Sequence, residues 1–162
     1  MRISEGVEWA LHCCTLLAVV PEGTALPATR LAEYHDVPPA YLAKHLQSLA
    51  ASGILESVAG RRGGYRLAKA AADVALIDVV DAIEGGEAAF RCTEIRQRGP
   101  AAAGRSAYRK PCGIARAMWA AEDAWRAELA SRTVADLLIG LMADVSVSSA
   151  VKAAAWVQEV SR

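Results

Sequence analysis

Phenylalanine occurs once in these 162 residues, and aromatic side chains make up only 6% of them. No long β-branched run is present either, and both scarcities favour helices over sheet. Eighteen Lys and Arg balance eighteen Asp and Glu, leaving a formal net charge of zero. Any attraction for phosphate must therefore come from a local patch. No stretch of about 18 uncharged apolar residues exists, so no transmembrane helix is expected. The opening MRISEGVEWALHCC lacks a signal-peptide cleavage pattern, and a cytoplasmic protein is expected. Nucleophile–base pairings, phosphate loops and zincin motifs are all lacking, so no enzyme is expected. There are four cysteines; in a reducing compartment they are poor disulfide candidates and better ones for metal or redox chemistry.

What is present is apolar residues at 54%, many of them alanine, which argues for ordered helices. The length suits one domain, or a small domain with an appendage. The most informative stretch is residues 28–67. Thr29, Leu31 and Ala32 belong to a short helix that stops near Asp36-Val37-Pro38. Pro38 holds Val37 extended, and Pro39 suits the first turn of a second helix. Tyr41, Leu42, His45, Leu46 and Leu49 recur at helical spacing there, up to Gly53 as an αL cap. Two short helices about a tight turn make a helix-turn-helix. Next come Ile54-Leu55-Glu56-Ser57, a tip from Val58 to Gly64 containing Arg61 and Arg62, and Tyr65-Arg66-Leu67. This is a β-hairpin with a basic, glycine-rich tip, a wing. Lying in a hairpin, the glycine run is not a dinucleotide fingerprint.

Residues 28–69 hold six basic side chains and three acidic ones, a local charge of +3. A basic module on a neutral chain is the footprint expected for a nucleic-acid backbone. Ala40, Tyr41 and Lys44 are the expected groove-facing residues, with Thr29 near a phosphate. Arg61 and Arg62 are expected to enter a narrow minor groove. One short helix reads few base pairs, so a two-fold dimer on a roughly palindromic double-stranded site is expected.

Elsewhere, residues 3–20 read as a helix capped by Ser4, with Val7, Leu11, Leu16 and Val19-Val20 as its apolar face. Glu8 and His12, four apart, share one side of it. Cys13 and Cys14 point to different faces, and one is expected in the core. Residues 75–84 form an amphipathic helix expected to brace the wing. Residues 91–110 carry six basic residues, two Gly and one Pro, and read as an exposed, partly flexible loop. Cys92 and Cys112 bound it. After Pro111-Cys112-Gly113 a long helix places Ile114, Met118, Ala121 and Trp125 at 4-3-4 spacing, a short dimerisation seam. Thr133 and Asp136 form a capping box, and residues 150–160 close the chain as a helix. The expected class is mainly α with a small β-wing. Its expected parts are a winged helix-turn-helix domain over 1–90, a cluster-binding loop over 91–112, and a dimerisation helix with C-terminal helices over 113–162.

Met1-Arg2-Ile3-Ser4, Pro38-Pro39-Ala40-Tyr41-Leu42, Gly60-Arg61-Arg62-Gly63-Gly64-Tyr65-Arg66-Leu67-Ala68 and Val79-Val80-Asp81-Ala82-Ile83-Glu84-Gly85 together resemble the Rrf-two (Rrf2) family of winged-helix transcription regulators. The wing motif is the most specific part of a resemblance that runs over residues 1–140. It implies a homodimer on DNA, often with an iron–sulphur cluster held by three close loop cysteines and a fourth, non-cysteine ligand. Cys92 and Cys112 match the first and last of the three, but the middle one is absent and the loop is longer. Either the cluster has been lost or other side chains replace the thiolate. In part of the family an acidic residue of the first helix, from the partner subunit, completes the cluster. Glu8 stands in that place, and His12 lies one turn further.

The resemblance thus implies Glu8, His12, Cys92 and Cys112 as a four-ligand set, one cluster per subunit, ligated across the dimer. Two sulphurs with two harder donors suit [2Fe–2S] better than [4Fe–4S], since imidazole replaces thiolate in Rieske centres. Zinc is the rival metal. His35 and Glu94 are next in line as donors, and Trp9 beside Glu8 is the expected redox relay. Without metal, the alternative is a regulator acting by a Cys92–Cys112 thiol switch or by protein–protein contact.

Overall fold

Leucines at 42, 46 and 49 repeat every three to four residues and so line one side of a helix. In the structure all three are fully buried, and the other elements gather round them. The computed structural model describes residues 3–60, 63–102 and 104–161. It is mainly helical with one small hairpin. Helices α1 (Glu5–Val19), α2 (Ala28–His35) and α3 (Pro39–Ala51) come first. Strands β1 (Leu55–Val58) and β2 (Gly64–Leu67) follow, then α4 (Leu76–Glu84), α5 (Gly113–Ala130), α6 (Val134–Asp144) and α7 (Val147–Val160). Among the described residues no helix is long and apolar enough to cross a membrane.

The turn between α2 and α3 follows the prolines. Asp36 ends α2 in the left-handed region at φ 51°, and Pro39 occupies the first turn of α3. The strands pair antiparallel, Leu55 opposite Leu67 and Val58 opposite Gly64. Leu26 adds a bridge, its amide donating to the Tyr65 carbonyl at 2.9 Å and its carbonyl accepting from the Tyr65 amide at 2.8 Å. A Cβ on Gly64 would lie 2.2 Å from the Leu26 carbonyl, so only glycine lets this third segment close on the wing. The wing tip residues Arg61 and Arg62 lie outside the described residues.

Three local expectations are corrected and a fourth is refined. Ser4 precedes α1 but makes no side-chain cap; its hydroxyl donates to Glu84 Oε1 at 2.6 Å instead. A partner eighty residues away thus replaces the local amide. Cys13 and Cys14 are both fully buried, because α1 is covered by α3, α4 and α6. Helix α4 packs mainly on α1, α3 and α5 rather than bracing the wing. The bidentate pair of Arg126 with Asp81, at 3.0 and 2.5 Å, ties it to α5. Finally, residues 91–112 are largely exposed, as read, but are not without local structure. They contain two 3-10 turns, Ile95–Gln97 and Arg105–Tyr108. The Tyr108 hydroxyl, donating to the Arg96 carbonyl at 2.7 Å, joins the turns.

The capping box forms as read. Thr133 Oγ1 accepts from the Asp136 amide at 3.2 Å, and Asp136 Oδ2 accepts from the Thr133 amide at 2.8 Å. Helix α7 starts earlier than expected, at Val147, because Ser146 caps it by accepting from the Ser149 amide at 3.2 Å. It returns to α2, where the Trp156 ring meets that of Tyr34 at a 55° tilt with centroids 4.6 Å apart.

Candidate nucleic-acid interface and metal centre

Burying Leu42, Leu46 and Leu49 turns the opposite side of α3 outward. Ala40, Tyr41 and Lys44 are exposed there together, with the Lys44 ammonium 5.5 Å from the Tyr41 ring centroid. Thr29 is exposed in the first turn of α2. The patch is less free in charge than its composition implies. Arg30 pairs with Glu33 at 2.7 Å, Arg66 with Glu56 at 2.9 Å, and Lys69 with Asp78 at 3.7 Å. Lys44 is the base of this patch that turns outward without a carboxylate beside it among the described residues.

Glu8 and His12 are exposed on α1. The His12 ring lies 5.6 Å from that of His35. His35 is held at about 4, lowered by burial and then by His12, and its Nε2 is buried without a hydrogen-bond partner. Trp9 is half-buried and meets His45 of α3 edge-on, with centroids 6.0 Å apart. Beneath them Gly6 faces His45 so closely that a Cβ would fall 2.4 Å from Cε1. The first helix is therefore in direct contact with the helix carrying the outward Tyr41 and Lys44. Sequence reasoning missed this contact by assigning His45 to the apolar side. The available signal was Gly6, a glycine inside a helix, which marks close approach.

The loop cysteines stand apart from that face. Cys112 is the N-cap of α5, its Sγ accepting from the Ala115 amide at 3.3 Å. That bond holds the thiol below its ordinary value, and the Ile114 amide and the Arg96 guanidinium act in the same direction. Arg96 is itself clamped by Glu94, at 2.5 and 2.6 Å. Cys92 is half-buried and lines a recess of about 450 Å³ with Glu94, Tyr108, Pro111 and Trp119. Burial pushes the Cys13 and Cys14 thiols up to about 12, which removes them from thiolate chemistry.

Among the described residues, no group of three or more His, Cys, Asp or Glu lies together as a metal site. Glu8 and His12 are one turn apart on α1, whereas Cys92 lines the recess and Cys112 caps α5. Carboxylate, imidazole and thiol are donor types that iron–sulphur and zinc sites use. Along α5, Ile114 is 71% and Met118 45% exposed.

A family model described as Rrf2, iron-dependent transcriptional regulator, matches residues 3–139. The HTH-type transcriptional regulator YwgB of Bacillus subtilis is 35% identical over 85 residues, 52% of this chain and 54% of that protein. The chain therefore matches about half the length of this curated relative. Among solved structures, oxidised CymR of Staphylococcus aureus superposes with a TM-score of 0.63 at 22% identity, over 85% of this chain and 96% of that one. T. potens IscR gives 0.65 at 19% identity, over 90% and 93%. At such identities the likeness is one of fold.

Proposed function

The chain belongs to the Rrf2 family of transcriptional regulators, and from that premise we propose that it is a cytoplasmic homodimer that binds operator DNA and senses redox state through a [2Fe–2S] cluster. Cys92 and Cys112 of one subunit, with Glu8 and His12 of the other, would hold each cluster. The observation that supports this reading is that Glu8 and His12 stand exposed one turn apart on α1 while Cys112 caps α5 with its Sγ on the Ala115 amide. A second copy docked along α5 would supply the other pair of donors. The ligand combination also resembles that of the Streptomyces redox-sensitive regulator RsrR.

The cluster, when bound, supplies one-electron chemistry near α1. The chain's own residues do the rest. Glu8 and His12 feel any change in charge at their side chains, and α1 carries it to Trp9. Trp9 cannot shift in a close-packed interior without moving its neighbour His45, and His45 stands on the same helix as Ala40, Tyr41 and Lys44. Those three would read the major groove, with Thr29 on a phosphate and Arg61 and Arg62 in the minor groove.

Anaerobically purified protein tests the sensor by visible absorption and EPR, with and without dithionite. A [2Fe–2S] spectrum, lost in Cys92→Ala and Cys112→Ala and altered in Glu8→Ala and His12→Ala, is the expected result. Wild-type spectra from both α1 variants would overturn the ligand set. A second reading is favoured by Cys112, whose Sγ sits on amides at the start of α5: a metal-free regulator in which Cys92 and Cys112 act as a thiol switch. Colourless protein whose DNA affinity follows disulfide formation would select it.

A further inference from the structure

Three helices turn the same kind of stripe toward one recess of about 620 Å³. From α1 come His12, Leu16 and Val19; from α6, Leu138, Leu141 and Met142. From α7 come Ala150, Ala153 and Ala154. Each set follows the 3-4 spacing of a core-facing helix, yet the space between them is open. Val19 and Met142 remain 46% and 70% exposed. Alanine supplies the α7 stripe where leucine would have closed the gap, and closed interiors leave few such voids. The volume falls in the range of small-molecule pockets.

The chemistry of the wall limits the occupant. Asp, Glu, Lys and Arg are all absent from it, so a charged molecule would lose its hydration without a counter-ion. His35 belongs to the wall, and its Nε2 is the buried nitrogen without a partner. The lining residue Tyr34 belongs to α2 and packs at a tilt against Trp156 of α7. Helix α7 itself lies beyond the residues matched by the family model.

We propose that this recess binds a neutral, mostly hydrocarbon small molecule bearing one hydrogen-bonding group, seated between α1, α6 and α7 with that group on His35. Occupancy would press on Tyr34 and His35 at the end of α2, giving the helix-turn-helix a second input. The recess shares His12 with the proposed cluster site, but neither Cys92 nor Cys112 lines it, and the probe titration below needs no cluster.

The test is a fluorescence titration of the full-length protein with N-phenyl-1-naphthylamine, which is neutral and carries one N–H. Its counterpart, 8-anilino-1-naphthalenesulfonate, has the same skeleton with a negative charge. Saturable binding of the neutral probe in preference to the anionic one is expected. Ala154→Trp and, independently, Ala150→Leu should abolish it by filling the recess, with sedimentation unchanged. His35→Phe should weaken it about fivefold, the worth of one hydrogen bond. Equal affinity for both probes, no saturable binding, or wild-type binding by both filling variants would overturn the proposal. So would filling variants that change the oligomeric state, since the recess would then be covered by a second copy.

Discussion

Gly6 and His45 decide how tightly the first helix sits on the third. Alanine is the better helix former by about 1 kcal/mol, so Gly6→Ala would stabilise an isolated α1. Here the new methyl would lie 2.4 Å from the His45 ring, and overpacking typically costs about 1–3 kcal/mol. The steric effect should win, because Trp9 of the same helix already meets the His45 ring edge-on and limits where it can move. Gly6→Ala is expected to lower the melting temperature and weaken DNA binding, read by calorimetry and by fluorescence anisotropy. An unchanged or raised melting temperature would show that His45 gives way freely. None of this was legible from His45 itself, whose spacing matched the leucines beside it. Only the partner across the interface distinguishes a histidine in the core from one that bridges two helices.

At the scale of elements, the sequence was readable wherever the controlling residues were neighbours. Pro38 and Pro39 set the turn, and Leu42, Leu46 and Leu49 set the buried side of α3. Thr133 and Asp136, three apart, formed the box they predict. Thr133→Ala should cost about 1 kcal/mol through the lost cap, measured by denaturant unfolding; no loss would mean that the bridge of Thr133 to Ala75 carries the junction alone. The Ser4 contact and the turns within 91–112 were not legible because their partners, Glu84 and the Arg96–Glu94–Tyr108 group, depend on long-range placement or on side-chain geometry. The wing belongs to the same scale. Arg66 is already paired with Glu56, so the proposed DNA contact of this hairpin rests on Arg61 and Arg62. Replacing Arg61 and Arg62 together by alanine should weaken binding and reduce the slope of log affinity against log salt by about 1–2 units. An unchanged slope would exclude the wing from the DNA contact.

For the whole molecule, the question is whether one chain or two complete the site. Glu8 and His12 sit on α1, Cys92 and Cys112 flank the loop before α5, and the single chain does not gather them. Cross-subunit ligation makes a prediction that in-chain ligation cannot share. A chain with Cys92→Ala and Cys112→Ala keeps its α1 donors; a chain with Glu8→Ala and His12→Ala keeps its thiols. A homodimer of the first type lacks both thiol donors at each site, and one of the second type lacks both α1 donors. Coexpressed with different affinity tags and purified through both, the heterodimer contains one complete set if the donors come from opposite subunits. Its other site lacks all four. Such heterodimers should therefore show half the wild-type cluster absorbance per dimer, with the wild-type line shape. If donors come from the same chain, neither subunit has a full set, and the heterodimer should be as pale as its parents. The symmetry of a two-fold dimer makes the two outcomes exclusive.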